Sequence, residues 1–142
     1  MKTNREILSS VLKTTQMGQL GIRSVLDAAV QADLRQALNQ QLKEYDRIET
    51  EAHSIASQRG WELRELDPAV RAMTDMMVRL RLSKADPDSK IADMMILGNT
   101  KGMVKGLKNI HRSDGRDSRV NTLSQKLIDT ETNNIRQMRP FL

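Results

Sequence analysis

Cysteine is absent, so the chain offers no disulfide, no thiolate metal site and no cysteine nucleophile. Aromatic side chains are nearly absent: one Trp, one Tyr and one Phe in 142 residues. That leaves almost nothing on which bases could stack, and no DNA-binding motif is present, so nucleic acid is not the expected partner. Three prolines and seven glycines leave room for long helices. No apolar run approaches the roughly 18 residues that cross a bilayer, so no membrane association is expected. The opening MKTNREIL lacks the apolar centre of a secretory signal, and the expected location is cytoplasmic. There is no glycine-rich phosphate loop after a strand and no Ser-His-Asp set with supporting context. The two histidines, His53 and His111, read as surface residues. The chain is therefore expected to be no enzyme and to need no cofactor.

What fills the sequence is Leu, Ala, Gln, Arg, Lys and Met, all good helix formers. The length suits one domain with a real core. Ile7, Val11, Gly18, Ile22, Val25 and Ala29 recur at helical spacing and predict a first helix over about 4–29. Leu34, Leu38, Leu42, Tyr45, Ile48 and Ala52 give the clearest apolar face, on a second helix that Asp33 can cap and Gly60 can end. Asp67-Pro68 starts a short amphipathic helix reaching about Leu82. After Asp86-Pro87-Asp88 come a helix over about 90–112 and, past Ser113-Asp114-Gly115, another over about 117–138. Residues 1–142 thus read as one helical bundle domain: a hairpin over 4–60, a crossover with a short helix over 61–88, and a hairpin over 89–138.

The two hairpins echo each other. Met17-Gly18-Gln19 in the first matches Leu97-Gly98-Asn99 in the second, and Leu38-x-Gln40-x-Leu42 matches Leu123-x-Gln125-x-Leu127. Two similar helical hairpins joined by a long connection make an all-α, antiparallel four-helix bundle. Here the chain resembles the ferritin-like superfamily, and within it small bacterial bundles of unknown function with a short helix on the crossover. Gln58-Arg59-Gly60-Trp61-Glu62, after a helix opening Asp33-Leu34-Arg35, is also similar to spore-coat proteins of the coat F type.

The resemblance implies a two-metal site built from one Glu on each of two helices and a Glu-x-x-His on each of the other two. With Leu42 aligned to Leu127, those positions fall on Gln19, Asn99, Asp46-x-x-Glu49 and Glu131-x-x-Asn134. Both single acids are amides here and both histidines are gone. An amide carries no charge to offset a metal ion, so the expectation is a degenerate site: a central polar layer of Gln19, Asp46, Glu49, Asn99, Glu131 and Asn134, with no iron. The alternative is an atypical metal site on Glu49, His53 and Glu131, since Glu49 and His53 lie four apart on one helix.

Three further patterns stand out. Gly98, Gly102 and Gly106 form a strip that predicts close approach of a neighbouring helix or of a bulky side chain such as Trp61. Lys101, Lys105, Lys108 and Arg112 form a basic stripe. Residues 89–142 carry ten basic and five acidic side chains, the whole of the net +5, so the further alternative is a basic helical module binding nucleic acid or another polyanion. Val70, Met73, Met76, Met77 and Leu80 give the crossover helix an apolar face, while Arg71, Asp75, Arg79 and Arg81 give it a wet one. A bundle that already closes its own core has no place for that face except its own outside or another chain, so a homo-oligomer of unknown protein-interaction or structural role is expected.

Overall fold

The computed structural model describes residues 1–82 and 85–142; residues 83 and 84, inside the expected crossover, lie outside the described residues. Among the described residues every regular element is helical. Five α-helices follow one another: α1 (Asn4–Val25), α2 (Ala32–Arg59), α3 (Pro68–Leu82), α4 (Pro87–Arg112) and α5 (Ser118–Met138). Short 3-10 turns extend α1 over Leu26–Ala28 and α5 over Arg139–Phe141.

The helix ends follow from local chemistry. Thr3 Oγ1 accepts from the Glu6 N–H at 3.1 Å and caps α1. Asp67 takes the Ala69 N–H at 2.8 Å just before α3, and Asp117 takes the Val120 N–H at 3.3 Å to open α5. Gly60 turns left-handed at φ 66°, which lets the Trp61 N–H reach back to the Ala56 carbonyl at 2.9 Å and closes α2.

The start of α2 differs from expectation. Asp33 lies inside the helix, and the residue before the first turn, Gln31, makes no side-chain cap. The turn is instead fastened from the other hairpin. Asp88, buried at the start of α4, accepts the Val30 and Gln31 N–H groups at 2.7 and 2.9 Å, while Arg35 donates to the Ala29 and Val30 carbonyls. Burial alone would raise the Asp88 pKa; the two backbone donors, with the Gln31 side chain and the Arg35 charge, together outweigh it and hold the carboxyl below its ordinary value.

Contacts at both ends fix the directions. The Lys2 N–H bonds the Arg112 carbonyl at one end and Asp88 holds residues 30 and 31 at the other, so α1 and α4 are antiparallel. Arg59 pairs with Asp117 through two bonds of 2.9 and 3.0 Å, and Gln41 donates to Gln137 at 2.9 Å, so α2 and α5 are antiparallel as well. It follows that α2 and α4 run the same way, and the chain must return the length of the molecule between them. Residues 61–66 do this along α1: Arg5 bonds the Glu62 carbonyl, Ser9 takes the Arg64 N–H, and Gln16 takes the Leu66 N–H. Helix α3 then continues over α1 and α4, with Ser24 donating to Asp75 at 2.8 Å.

The expected wet side of α3 is met only in part: Arg79 and Arg81 are exposed, whereas Arg71 and Asp75 are half-buried. Thr74, Asp75 and Val78 turn toward the bundle and are half-buried, and Asp75 bonds α1. The apolar face points outward: Met73 and Met76 are 65% and 64% exposed, and Val70, Met77 and Leu80 are exposed with them. The core proper needs none of these residues. It is filled by the inner faces of the other four helices, with Leu8, Leu12, Ile22, Leu38, Ile55 and Ile91 fully enclosed.

Candidate functional site: a buried polar cluster beneath an apolar cavity

Tyr45 is the largest fully buried side chain, projecting from the middle of α2 into the bundle. Its ring lies flat against α1 where Gly18 carries no side chain. A Cβ at Gly18 would stand 2.5 Å from the ring carbon that bears the hydroxyl, so any other residue there collides with the ring. The hydroxyl lies 3.0 Å from Asn99 Oδ1 on α4 and 3.0 Å from Glu131 Oε1 on α5, and Asn134 Nδ2 donates to it at 3.2 Å. Three helices thus meet on one phenol oxygen.

The proton inventory of this cluster is informative. Tyr45 has one hydroxyl proton and two oxygens facing it. A protonated Glu131 resolves the conflict: the acid donates to the phenol oxygen, and the phenol donates to Asn99. Burial works the same way, raising the Glu131 pKa to about 8 against an opposing contribution from its bond with Tyr45. Tyr45 is raised well above its ordinary value, first by burial and then by the neighbouring carboxyl. The site is neutral at pH 7.

Gly102 also leaves room for Glu131. A Cβ at Gly102 would meet the carboxyl at 3.1 Å and the Thr14 methyl at 3.1 Å. Gly106, one turn further on, admits Ile128, whose Cγ1 would lie 2.7 Å from an added Cβ. Close approach therefore accounts for these two members of the strip. Gly98 is different: nothing lies within 4 Å of where its Cβ would be. It faces open space, and the expected packing partner, Trp61, is elsewhere.

That open space is a cavity of about 450 Å³ between α1, α4 and the crossover. Its walls are small or apolar: Met17, Gly18, Gly21, Met94, Met95 and Gly98 from the bundle, roofed by Leu66, Thr74 and Val78. Tyr45, Asn99 and Glu131 form the polar floor, and Lys13, Lys101 and Lys105 stand along the rim. Asn99 is 3% exposed, and its Nδ2 has no partner among the described residues. An N–H left buried and unmet costs about 1–3 kcal/mol. A mostly apolar hollow with a few convergent polar groups is the usual form of a small-molecule site.

The single polar layer expected from the sequence is in fact two clusters. Asn99, Glu131 and Asn134 converge on Tyr45. Gln19 turns to the other side of α1–α2, where its amide donates to Asp46 at 2.9 Å and Glu49 at 3.3 Å. Gln16 joins them, donating to Glu49 and to Glu65 on the crossover. These amides tie the crossover to the first hairpin. The alternative metal set is divided in the same way. His53 and Glu49 lie 4.0 Å apart, but Glu131 belongs to the Tyr45 cluster, and among the described residues no group of three or more His, Asp or Glu side chains is placed to hold a metal ion. The basic stripe is exposed throughout, with Lys101 and Lys105 on the cavity rim and Lys108 and Arg112 beyond it.

Sequence reasoning took Tyr45 for one more apolar core position. Its signal was its rarity: the chain's one tyrosine faces one of the repeated Gly-amide pairs. Lys13 was missed because it comes from the helix opposite the stripe, and helical periodicity carries no information across helices.

No family model matches this chain, and no significant match was found among curated proteins or solved structures. No described helix is long and apolar enough to cross a membrane.

The neutral Glu131 has a thermodynamic consequence. A carboxyl with an ordinary value near 4.5 when unfolded and about 8 when folded binds more protons in the folded state between those pH values. Stability from this group therefore falls as pH rises from about 4.5 to 8 and levels off above. Glu131→Gln presents the neutral form at every pH. Urea midpoints at pH 5, 7 and 9 should show the variant gaining on the native protein as pH rises; a constant difference would contradict a neutral buried acid.

Proposed function

We propose that this protein is a non-catalytic binding bundle: ferritin-like in topology, with the metal layer replaced by a hydrogen-bonded polar cluster, and with the cavity under the crossover taking a small organic ligand. The observation that carries the reading is an apolar hollow of about 450 Å³ floored by the polar side chains of Tyr45, Asn99 and Glu131. Support for the topology comes from the helix directions and from a crossover that spans the molecule along α1. Support for the absence of redox chemistry comes from the amides at positions 19 and 99 and from the division of the remaining carboxylates between two clusters.

The experiment is fluorescence titration with N-phenyl-1-naphthylamine, an uncharged probe that brightens in apolar surroundings. Saturation at one probe per chain is expected. Gly98→Leu fills space that is empty in the native protein and replaces a poor helix former, so the variant should keep its circular dichroism and melting temperature while losing affinity by about tenfold or more. Probe binding that is unsaturable, or indifferent to Gly98→Leu, would remove the cavity from the account.

A second reading rests on a separate observation, the outward apolar face of α3. Self-association through Met73, Met76, Met77 and Val70 would cover it, and a two-fold pairing of the same helix face on two chains is the simplest closed arrangement. In this reading Met73→Glu with Met77→Glu converts a dimer into a folded monomer by light scattering. A native protein that is already monomeric at high micromolar concentration would contradict it.

A further inference from the structure

The cavity does not end at its rim. Beside it an open groove of about 960 Å³ runs between the N-terminal part of α1, the crossover residues Trp61, Glu62 and Arg64, and Lys105 of α4. The two share two side chains, Lys13 and Lys105, which line both. The groove is mainly basic: Lys2, Arg5 and Arg64 join the shared pair, against Glu6 and Glu62. Some of those charges have internal duties. Lys2 Nζ donates to Asn109 Oδ1 at 3.0 Å, and Arg5 donates to the Glu62 carbonyl at 3.0 Å. The side chains of Lys13 and Lys105 make no hydrogen bond or ion pair among the described residues.

Two cations without a counter-ion among the described residues, at the seam of an apolar cavity and a basic groove, are an arrangement the fold does not need. Lys105 is held below its ordinary pKa, first by burial and then by the neighbouring charges of Lys2 and Lys13. An anion placed among the three would relieve that repulsion. The other end of the same space is floored by the polar side chains of Tyr45, Asn99 and Glu131.

We propose that the ligand is an organic anion with an apolar body: the body lies in the cavity over Gly18, Gly21 and Gly98, and its acidic group sits at the mouth on Lys13 and Lys105. The inference deepens the cavity reading above and rests on it. Length is consistent with this arrangement, because Lys105 stands seven residues along α4 from Gly98, about 10 Å at 1.5 Å per residue. That is the span of a two-ring aromatic acid or a medium-length acyl chain.

The test pairs two probes with the same aromatic body. 1-Anilinonaphthalene-8-sulfonate carries an acidic group; N-phenyl-1-naphthylamine does not. At low ionic strength the sulfonate should bind the full-length protein more tightly than the amine, one per chain, and should lose the advantage in high salt. Lys13→Ala with Lys105→Ala should weaken the sulfonate by about tenfold or more and leave the uncharged probe within about twofold. Gly98→Leu should weaken both. Because such dyes also settle on exposed apolar faces, Met73→Glu with Met77→Glu is the control and should change neither. Equal affinities for the two probes, or sulfonate binding untouched by the lysine changes, would overturn the anionic class while leaving the cavity reading in place. Binding that follows the α3 methionines and ignores Gly98→Leu would overturn both.

Discussion

The structure depends on one crowded oxygen. The Tyr45 hydroxyl is where α2, α4 and α5 meet, and the absence of a side chain at Gly18 lets the ring lie flat against α1. Each of the four main helices therefore contributes either a hydrogen bond or a vacancy to the same point. Buried polar contacts add little net stability against a well-packed apolar core, but they are costly when half-satisfied. A helix rotated or slipped by one residue would leave a phenol, an acid and two amides unpaired in the core. The cluster thus penalises alternatives for a bundle whose apolar side chains alone would accept several registers.

The glycines show how one repeated pattern can serve different ends. Gly18 and Gly98 occupy matching places in the repeated sequence pattern. The first is closed by Tyr45; the second has no such partner and opens the cavity. Gly102 and Gly106, further along the same strip, make room for Glu131 and Ile128. A doubled hairpin in which one copy holds a tyrosine and the other does not is necessarily lopsided. The hollow lies on the side that the crossover roofs.

Much of the fold was legible because helical periodicity and capping are local. The five helices, the stop at Gly60 and the starts at Asp67-Pro68 and Asp117 follow from residues within one turn of each boundary. What was not legible depended on partners far away in sequence. The turn before α2 is capped by Asp88, some 57 residues distant, and Asp33 beside it was the natural but mistaken choice. Gln19 and Asn99 match in the repeat yet face different neighbours, because the tyrosine that captures Asn99 has no counterpart opposite Gln19. The polarity of α3 was read from composition; its docking is set by Asp75 on Ser24, which turns Thr74, Asp75 and Val78 toward the bundle and leaves the methionines outside, with Arg79 and Arg81 exposed beside them.

The account stands on a carboxylic acid kept neutral inside the bundle by burial, which outweighs the opposing effect of its bond with Tyr45. A carbon-13 NMR titration of the glutamate side-chain carboxyls measures it directly, with Glu131→Gln identifying the signal. The account predicts one glutamate titrating near pH 8, far from the others. A Glu131 carboxyl that titrates with the rest between about pH 4 and 5 would contradict it.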